Sequence, residues 1–338
     1  MKIAFVVSVY LAREKKLAHL LHKMGHELIL VYKALWDRHG EDYFKSKYMF
    51  TDDKVLAQIV QYLEKEVDIF HVFTEPTRLV SIVADNTNRP VLGEMKDSDF
   101  LRNGVKVERE IDAFNKADAT LHPTKECMEL LNEGYDFRGP TNWYWPLVPK
   151  DWYVQEEQIG KGAVYQGSMT TTQEVNDSFK KGRDFSYRDY TEVFKAFQKA
   201  GLPVTCFSMA QKRPGMKEHY DFIKFETFLP YPELLKKFGE FKVGIATWGS
   251  QSRPALKSIP NKPFEYMAGG LVPVALKGSV VGNWIEDNDI GYTMIEDVPD
   301  LSDIEEKRRN LLKVRDDWCL ETQVDRVIQI YKELIRWR

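Results

Sequence analysis

Short, uninterrupted apolar runs alternate with stretches of helical period along this chain, and they do so twice in succession. The opening segment Met1 to Ala12 is a short apolar run that stops at Arg13-Glu14-Lys15-Lys16. It offers no convincing cleavage site, so it reads as a buried first strand rather than a signal peptide. Leu17, Leu20, Leu21 and Met24 follow at helical spacing, Gly25 ends that helix, and Leu28-Ile29-Leu30-Val31 is the next strand. This βαβ unit reads as the edge of a parallel sheet. Val55 to Leu63 is a predicted helix. Asp68 to Phe73, Pro90 to Met95 and Ala117 to His122 are predicted strands, and Lys125 to Leu131 opens a helix. A second series then begins. Strands are expected at Ala163-Val164-Tyr165, Pro203 to Phe207, Lys242 to Ala246 and Val272 to Ala275, with helices at Tyr190 to Ala200, Glu233 to Phe238 and Val324 to Trp337. Between the two series lies an aromatic, proline-rich patch: Trp143, Tyr144, Trp145, Pro146, Pro149, Trp152 and Tyr153. It reads as a hinge that packs the junction, with sugar stacking as its alternative use.

With 338 residues the chain has room for two domains or one large α/β domain. Apolar content of 43% suffices for packed cores, and a net charge of -3 gives no global attraction to nucleic acid. Cys127, Cys206 and Cys319 are scattered and odd in number, which argues against a disulfide framework or a CxxC metal site and fits a reducing, cytoplasmic setting. No run approaches the roughly 20 apolar residues of a membrane helix. Lys332, Arg336, Trp337 and Arg338 leave at most a peripheral membrane contact.

The segment from Asn261 to Ala275, reading NKPFEYMAGGLVPVA, carries the most chemistry. A polar residue and a proline open a short helix with a carboxylate, Glu265, in its first turns. Small residues end it, and a buried strand follows. An acid there can accept hydrogen bonds from paired ribose hydroxyls, while free N–H groups at a helix start attract phosphate. The segment resembles the donor-site signature of GT-B glycosyltransferases, especially glycosyltransferase family 4. Other fragments resemble the same family in the same order: Gly25-His26-Glu27-Leu28, Asp68-Ile69-Phe70-His71-Val72, Ala117 to Thr124, Val164-Tyr165-Gln166-Gly167-Ser168, and Asp317-Trp318 with Val324, Ile328 and Tyr331.

The resemblance implies a GT-B fold: two facing, doubly wound Rossmann-like domains with an interdomain cleft. Residues 1–150 would form the acceptor side and 151–316 the nucleotide-sugar side, with a terminal helix at 317–338 packing back on the first domain. It implies sugar transfer from a UDP- or GDP-sugar, with retention and without a metal or other cofactor. The acceptor is left open among carbohydrate, lipid-linked and nucleic-acid classes. A glycosyltransferase acting on a modified DNA base and a catalytically silent GT-B binding protein are the alternatives.

Expected donor-binding residues are Gly167, Ser168, Arg183, Arg188, Lys257, Lys262 and Glu265. Arginine suits a diphosphate because its planar fork matches phosphate oxygens in pairs. Expected catalytic residues are His71, Lys96 and Asp97, with Glu94 beside them. The chain departs from the family pattern at three places. Lys257 stands where the family has a glutamate, and it either meets a negative group or is a solvated lysine. Ser8 to Arg13 replaces a glycine-rich loop, with Ser8 or Arg13 as substitutes. Glu94-Met95-Lys96-Asp97 stands where a histidine is usual. Asp97-Ser98-Asp99 also matches the acidic triplet that holds a divalent cation in GT-A enzymes, although no metal is expected here.

Overall fold

The computed structural model describes residues 1–35, 39–74, 76–95, 98–154, 160–180, 184–252, 256–257 and 259–337. They form two compact units, one of residues 1–149 with 320–338 and one of residues 150–319.

The first unit holds seven strands: β1 Lys2–Tyr10, β2 Glu27–Leu35, β3 Ser46–Met49, β4 Ile69–Phe73, β5 Val91–Glu94, β6 Ala119–His122 and β7 Thr141–Trp143. Every pairing is parallel, in the order β3-β2-β1-β4-β5-β6-β7. The expectation that the first βαβ unit lies at the sheet edge is corrected. β1 is central, and the short β3 takes the edge. Helices cover the sheet, so the central strands are apolar on both faces and lack alternation. Val6, Val31, Phe70, Val72 and Val91 pack with Leu56, Val60, Leu79 and Val83 into one such layer. The helix Ala12–Lys23 follows β1 after the single residue Leu11, so Ser8 belongs to the strand and not to a loop. The last helix, Val324–Trp337, packs on β4, β6 and β7.

The second unit holds β8 Ala163–Gln166, β9 Val204–Phe207, β10 Lys224–Glu226, β11 Val243–Ile245, β12 Val272–Leu276 and β13 Tyr292–Met294. They too are all parallel, ordered β10-β9-β8-β11-β12-β13. Each sheet therefore reverses its strand order once, between β1 and β4 and between β8 and β11. Open α/β sheets bind ligands at the carboxyl ends of the strands at that reversal.

The aromatic patch divides at the junction. Tyr144 and Trp145 are buried in the first unit, where the Trp145 amide donates to Gln323 Oε1 at 2.8 Å. In the second unit Trp152 packs on Tyr231 with ring centroids 5.9 Å apart, and the Tyr153 hydroxyl donates to the Arg315 carbonyl at 2.8 Å. All three cysteines are buried, and none is in a disulfide among the described residues. No helix among the described residues is long and apolar enough to cross a membrane.

Candidate functional site

At the carboxyl edge of the second sheet, three loops are laced together by backbone bonds. The turn after β8 is tied to the segment before the helix Thr191–Lys199 by the Thr170 amide, which donates to the Arg188 carbonyl at 2.9 Å. The loop after β11 joins that same segment through the Gly249 amide, which donates to the Tyr187 carbonyl at 3.0 Å. A side chain at Gly249 would meet the Asp189 carbonyl at 1.9 Å, so only glycine allows this approach. The turn after β8 is closed by the Tyr165 hydroxyl donating to the Ser168 carbonyl at 2.6 Å.

The helix Lys262–Ala268 is pinned over β8 and β11 by Tyr266. Its hydroxyl accepts from the Gln166 amide at 3.3 Å and lies 3.3 Å from the carbonyls of Val164 and Ile245. Gly244 makes room for its ring, since a Cβ there would meet Tyr266 Cδ2 at 2.3 Å. This pinning fixes Lys262 and Glu265.

The Lys262 ammonium sits 5.0 Å from the ring centre of Tyr165 and 5.1 Å from that of Trp248. It borders Gly167, whose φ of +133° lies in the glycine-favouring region; a Cβ there would be 3.0 Å from Lys262 Cε. Arg188 lies over the rings of Phe185 and Tyr187 at 5.6 and 5.4 Å. Neither cation has a hydrogen bond or ion pair among the described residues. Burial brings the Lys262 ammonium down to about 8; Glu265 opposes this and the Arg188 charge reinforces it. Both side chains remain partly exposed, as does Trp248.

Glu265 is fully buried. Its carboxylate accepts from Gln166 Nε2 and from the Tyr231 hydroxyl. The sequence pattern places it correctly in the helix but gives no sign of these two partners. Ser168 and Lys257 are exposed. Arg183 lies outside the described residues.

The first unit concentrates its charge at the corresponding edge. Arg13 Nε is 2.8 Å from Glu94 Oε1, and its Nη2 donates to the Tyr144 carbonyl at 3.0 Å. The Tyr144 hydroxyl donates to Glu94 Oε2 at 2.6 Å, and His71 Nε2 lies 3.3 Å from the same oxygen. His71 Nδ1 is 2.7 Å from the Tyr331 hydroxyl, and its ring stacks on Phe73 with centroids 4.1 Å apart. Burial lowers the His71 imidazole below its ordinary value, with Glu94 pulling the other way, which keeps it neutral. His71 is thus part of a closed network that joins β4, β5 and the last helix. Arg13, Tyr144 and Tyr331 complete it; the sequence offers Tyr331 only as part of the closing helix, with no sign of its contact to His71. Lys96 and Asp97 lie outside the described residues. Of the acidic triplet, Ser98 caps the helix Asp99–Asn103 by accepting from the amides of Phe100 and Leu101, and Asp99 pairs with Arg109. Both residues therefore have structural partners.

No family model matches the chain, and no curated sequence matches it. Solved structures do. The chain is similar to sucrose-phosphate synthase from Thermosynechococcus elongatus, with a TM-score of 0.70 over 100% of both chains at 11% identity. It is similar to an alpha-glucosyltransferase in complex with UDP and a 13-mer DNA containing an HMU base. The TM-score there is 0.63 over 99% of this chain and 95% of that one, at 14% identity. Anabaena Alr3699/HepE in complex with UDP-glucose gives 0.63 over 99% and 98%, at 12% identity. At these identities the likeness is one of fold: two successive parallel sheets of seven and six strands in the Rossmann order, the fold of GT-B glycosyltransferases.

Proposed function

We propose that this chain is a nucleotide-sugar-dependent glycosyltransferase that takes a UDP- or GDP-sugar at the carboxyl edge of its second sheet. The observation that carries this reading is the Lys262–Arg188 pair. Two cations stand near one another at the strand-order reversal, engaged only by aromatic faces among the described residues. The Arg188 charge disfavours that of Lys262, and a diphosphate would relieve that conflict. Similar folds that hold UDP or UDP-glucose support the choice of ligand.

In this reading Lys262 and Arg188 bind the two phosphates, with Arg183 as a further cation and Lys257 and Ser168 at the rim. Gly167 gives the ligand close access to the backbone. Glu265, oriented by Gln166 and Tyr231, accepts from the donor ribose. The bond between the anomeric carbon and the diphosphate oxygen breaks, the acceptor hydroxyl oxygen bonds to the anomeric carbon, and the hydroxyl proton passes to the departing diphosphate. The two cations stabilise the charge that develops on the departing diphosphate. His71, Lys96 and Asp97 belong to the acceptor side, where His71 acts as a positioning residue within the Arg13–Glu94 network. Transfer proceeds with retention and without a metal.

The test is release of free UDP or GDP from a panel of nucleotide-sugars, with carbohydrate, lipid-linked and modified-base DNA acceptors, in the presence of a strong chelator. One donor should be consumed. Ligand-induced thermal stabilisation without turnover would favour a silent binding protein. Neither stabilisation nor turnover with any donor would overturn the reading.

A further inference from the structure

Buried polar atoms nearly always have a hydrogen-bond partner, so each exception asks for one that the chain does not supply. In the second unit, Thr170 Oγ1, Thr247 Oγ1, Trp248 Nε1 and Ser252 Oγ are closed off from solvent and unpartnered among the described residues. All four lie in the loops that follow β8 and β11. Thr247 and Trp248 are consecutive, two and three residues past the end of β11, and Thr247 is 1% exposed. The Trp248 ring is held in place by the edge of Tyr187, with centroids 5.5 Å apart, and it carries the Lys262 ammonium on its face.

The chemistry of these groups narrows the ligand. An indole N–H only donates, and an ammonium and a guanidinium only donate. A nucleobase edge mixes donors with acceptors. A phosphoryl group offers acceptors alone, with charge to match the cations. We propose that the Thr247 hydroxyl and the Trp248 indole N–H donate to phosphoryl oxygens of the diphosphate held by Lys262 and Arg188, which makes the loop after β11 a third arm of the anion site. This rests on the donor-site reading above. The contacts form as the anion draws the Lys262 ammonium off the Trp248 face.

Two conservative variants test it, with Lys262→Met as the reference for the site itself. Thr247→Val removes only the hydroxyl, and Trp248→Phe removes the N–H while keeping an aromatic face for Lys262. Calorimetry with UDP and with inorganic pyrophosphate should show each variant binding both ligands about tenfold more weakly than the parent. Unliganded Thr247→Val should melt no lower than the parent, because a buried hydroxyl without a partner is replaced by a methyl group. A residue with only a structural role would show the reverse: a lower melting temperature and unchanged affinity. If Lys262→Met loses binding while Thr247→Val and Trp248→Phe keep it, the inference falls and the donor site stands. If the parent binds neither UDP, GDP nor pyrophosphate, the donor-site reading falls and the inference with it.

Discussion

Exchanging Lys262 for arginine asks whether one proton governs ligand binding. Burial brings this ammonium down to about 8, with Glu265 opposing and Arg188 reinforcing the shift. If only the charged lysine holds the diphosphate, UDP affinity is level below that value. Above it, affinity falls roughly tenfold per pH unit, or about 1.4 kcal/mol per unit. The terminal phosphate ionises near pH 6, so above about pH 7 the ligand contributes little slope of its own. Arginine keeps its charge, so Lys262→Arg should bind UDP with a level profile to about pH 9, though its different shape lowers the absolute affinity. The sign for stability is opposite. The folded-state value lies below the ordinary lysine value, so at neutral pH the unliganded protein is destabilised by holding this charge. That burden eases as pH rises from about 8 towards the ordinary lysine value. UDP binding should therefore raise the lysine's proton affinity and take up part of a proton just above that pH. Calorimetry in two buffers of different ionisation enthalpy reads this directly. A parent profile as level as that of Lys262→Arg, or heats independent of buffer, would refute the reasoning.

Other perturbations follow from named contacts. Glu94→Ala leaves Arg13 as a buried cation without its carboxylate, and the urea midpoint should fall by the equivalent of about 3–5 kcal/mol. Burial lowers His71, and it lowers His122 to about 3. Folded-state stability should therefore be full above the ordinary histidine value and decline as pH drops below it, by up to about 1.4 kcal/mol per pH unit for each imidazole. His122→Asn should remove part of that slope in denaturant titrations. Gly167→Ala forces a side chain into a positive-φ backbone against Lys262, and it should cost about 1–3 kcal/mol in thermal unfolding while weakening UDP binding.

The buried strands were legible because a strand covered on both faces is apolar at nearly every position: β12 is apolar throughout, and β1, β4 and β8 depart only at Lys2, Ser8, His71 and Gln166. The strands that escaped sequence reading are β3, β7, β10 and β13, which are the four edges of the two sheets. Each has only three or four residues, and Ser46-Lys47-Tyr48-Met49 and Lys224-Phe225-Glu226 carry charge in place of an apolar run. Short, charged edge strands of this kind resist pairing with other chains and leave little periodic signal. Arg13-Glu14-Lys15-Lys16 read as the end of an apolar segment, yet all four are buried. Two of them have partners remote in sequence: Arg13 donates to the Tyr144 carbonyl at 3.0 Å, 131 residues away, and Lys16 to the Pro146 carbonyl at 2.7 Å, 130 residues away. Glu265 and Lys262 were legible as a motif. Gln166, Tyr231 and Trp248 were not, because only the fold brings their separate loops to one sheet edge.

Hydrogen exchange measured with and without UDP tests the central claim most directly. Binding should slow exchange in the turn after β8, in the segment carrying Arg188, in the loop holding Thr247 and Trp248, and in the helix that begins at Lys262, and Lys262→Met should abolish that protection. Protection elsewhere with these four segments unchanged at saturating UDP would contradict the account.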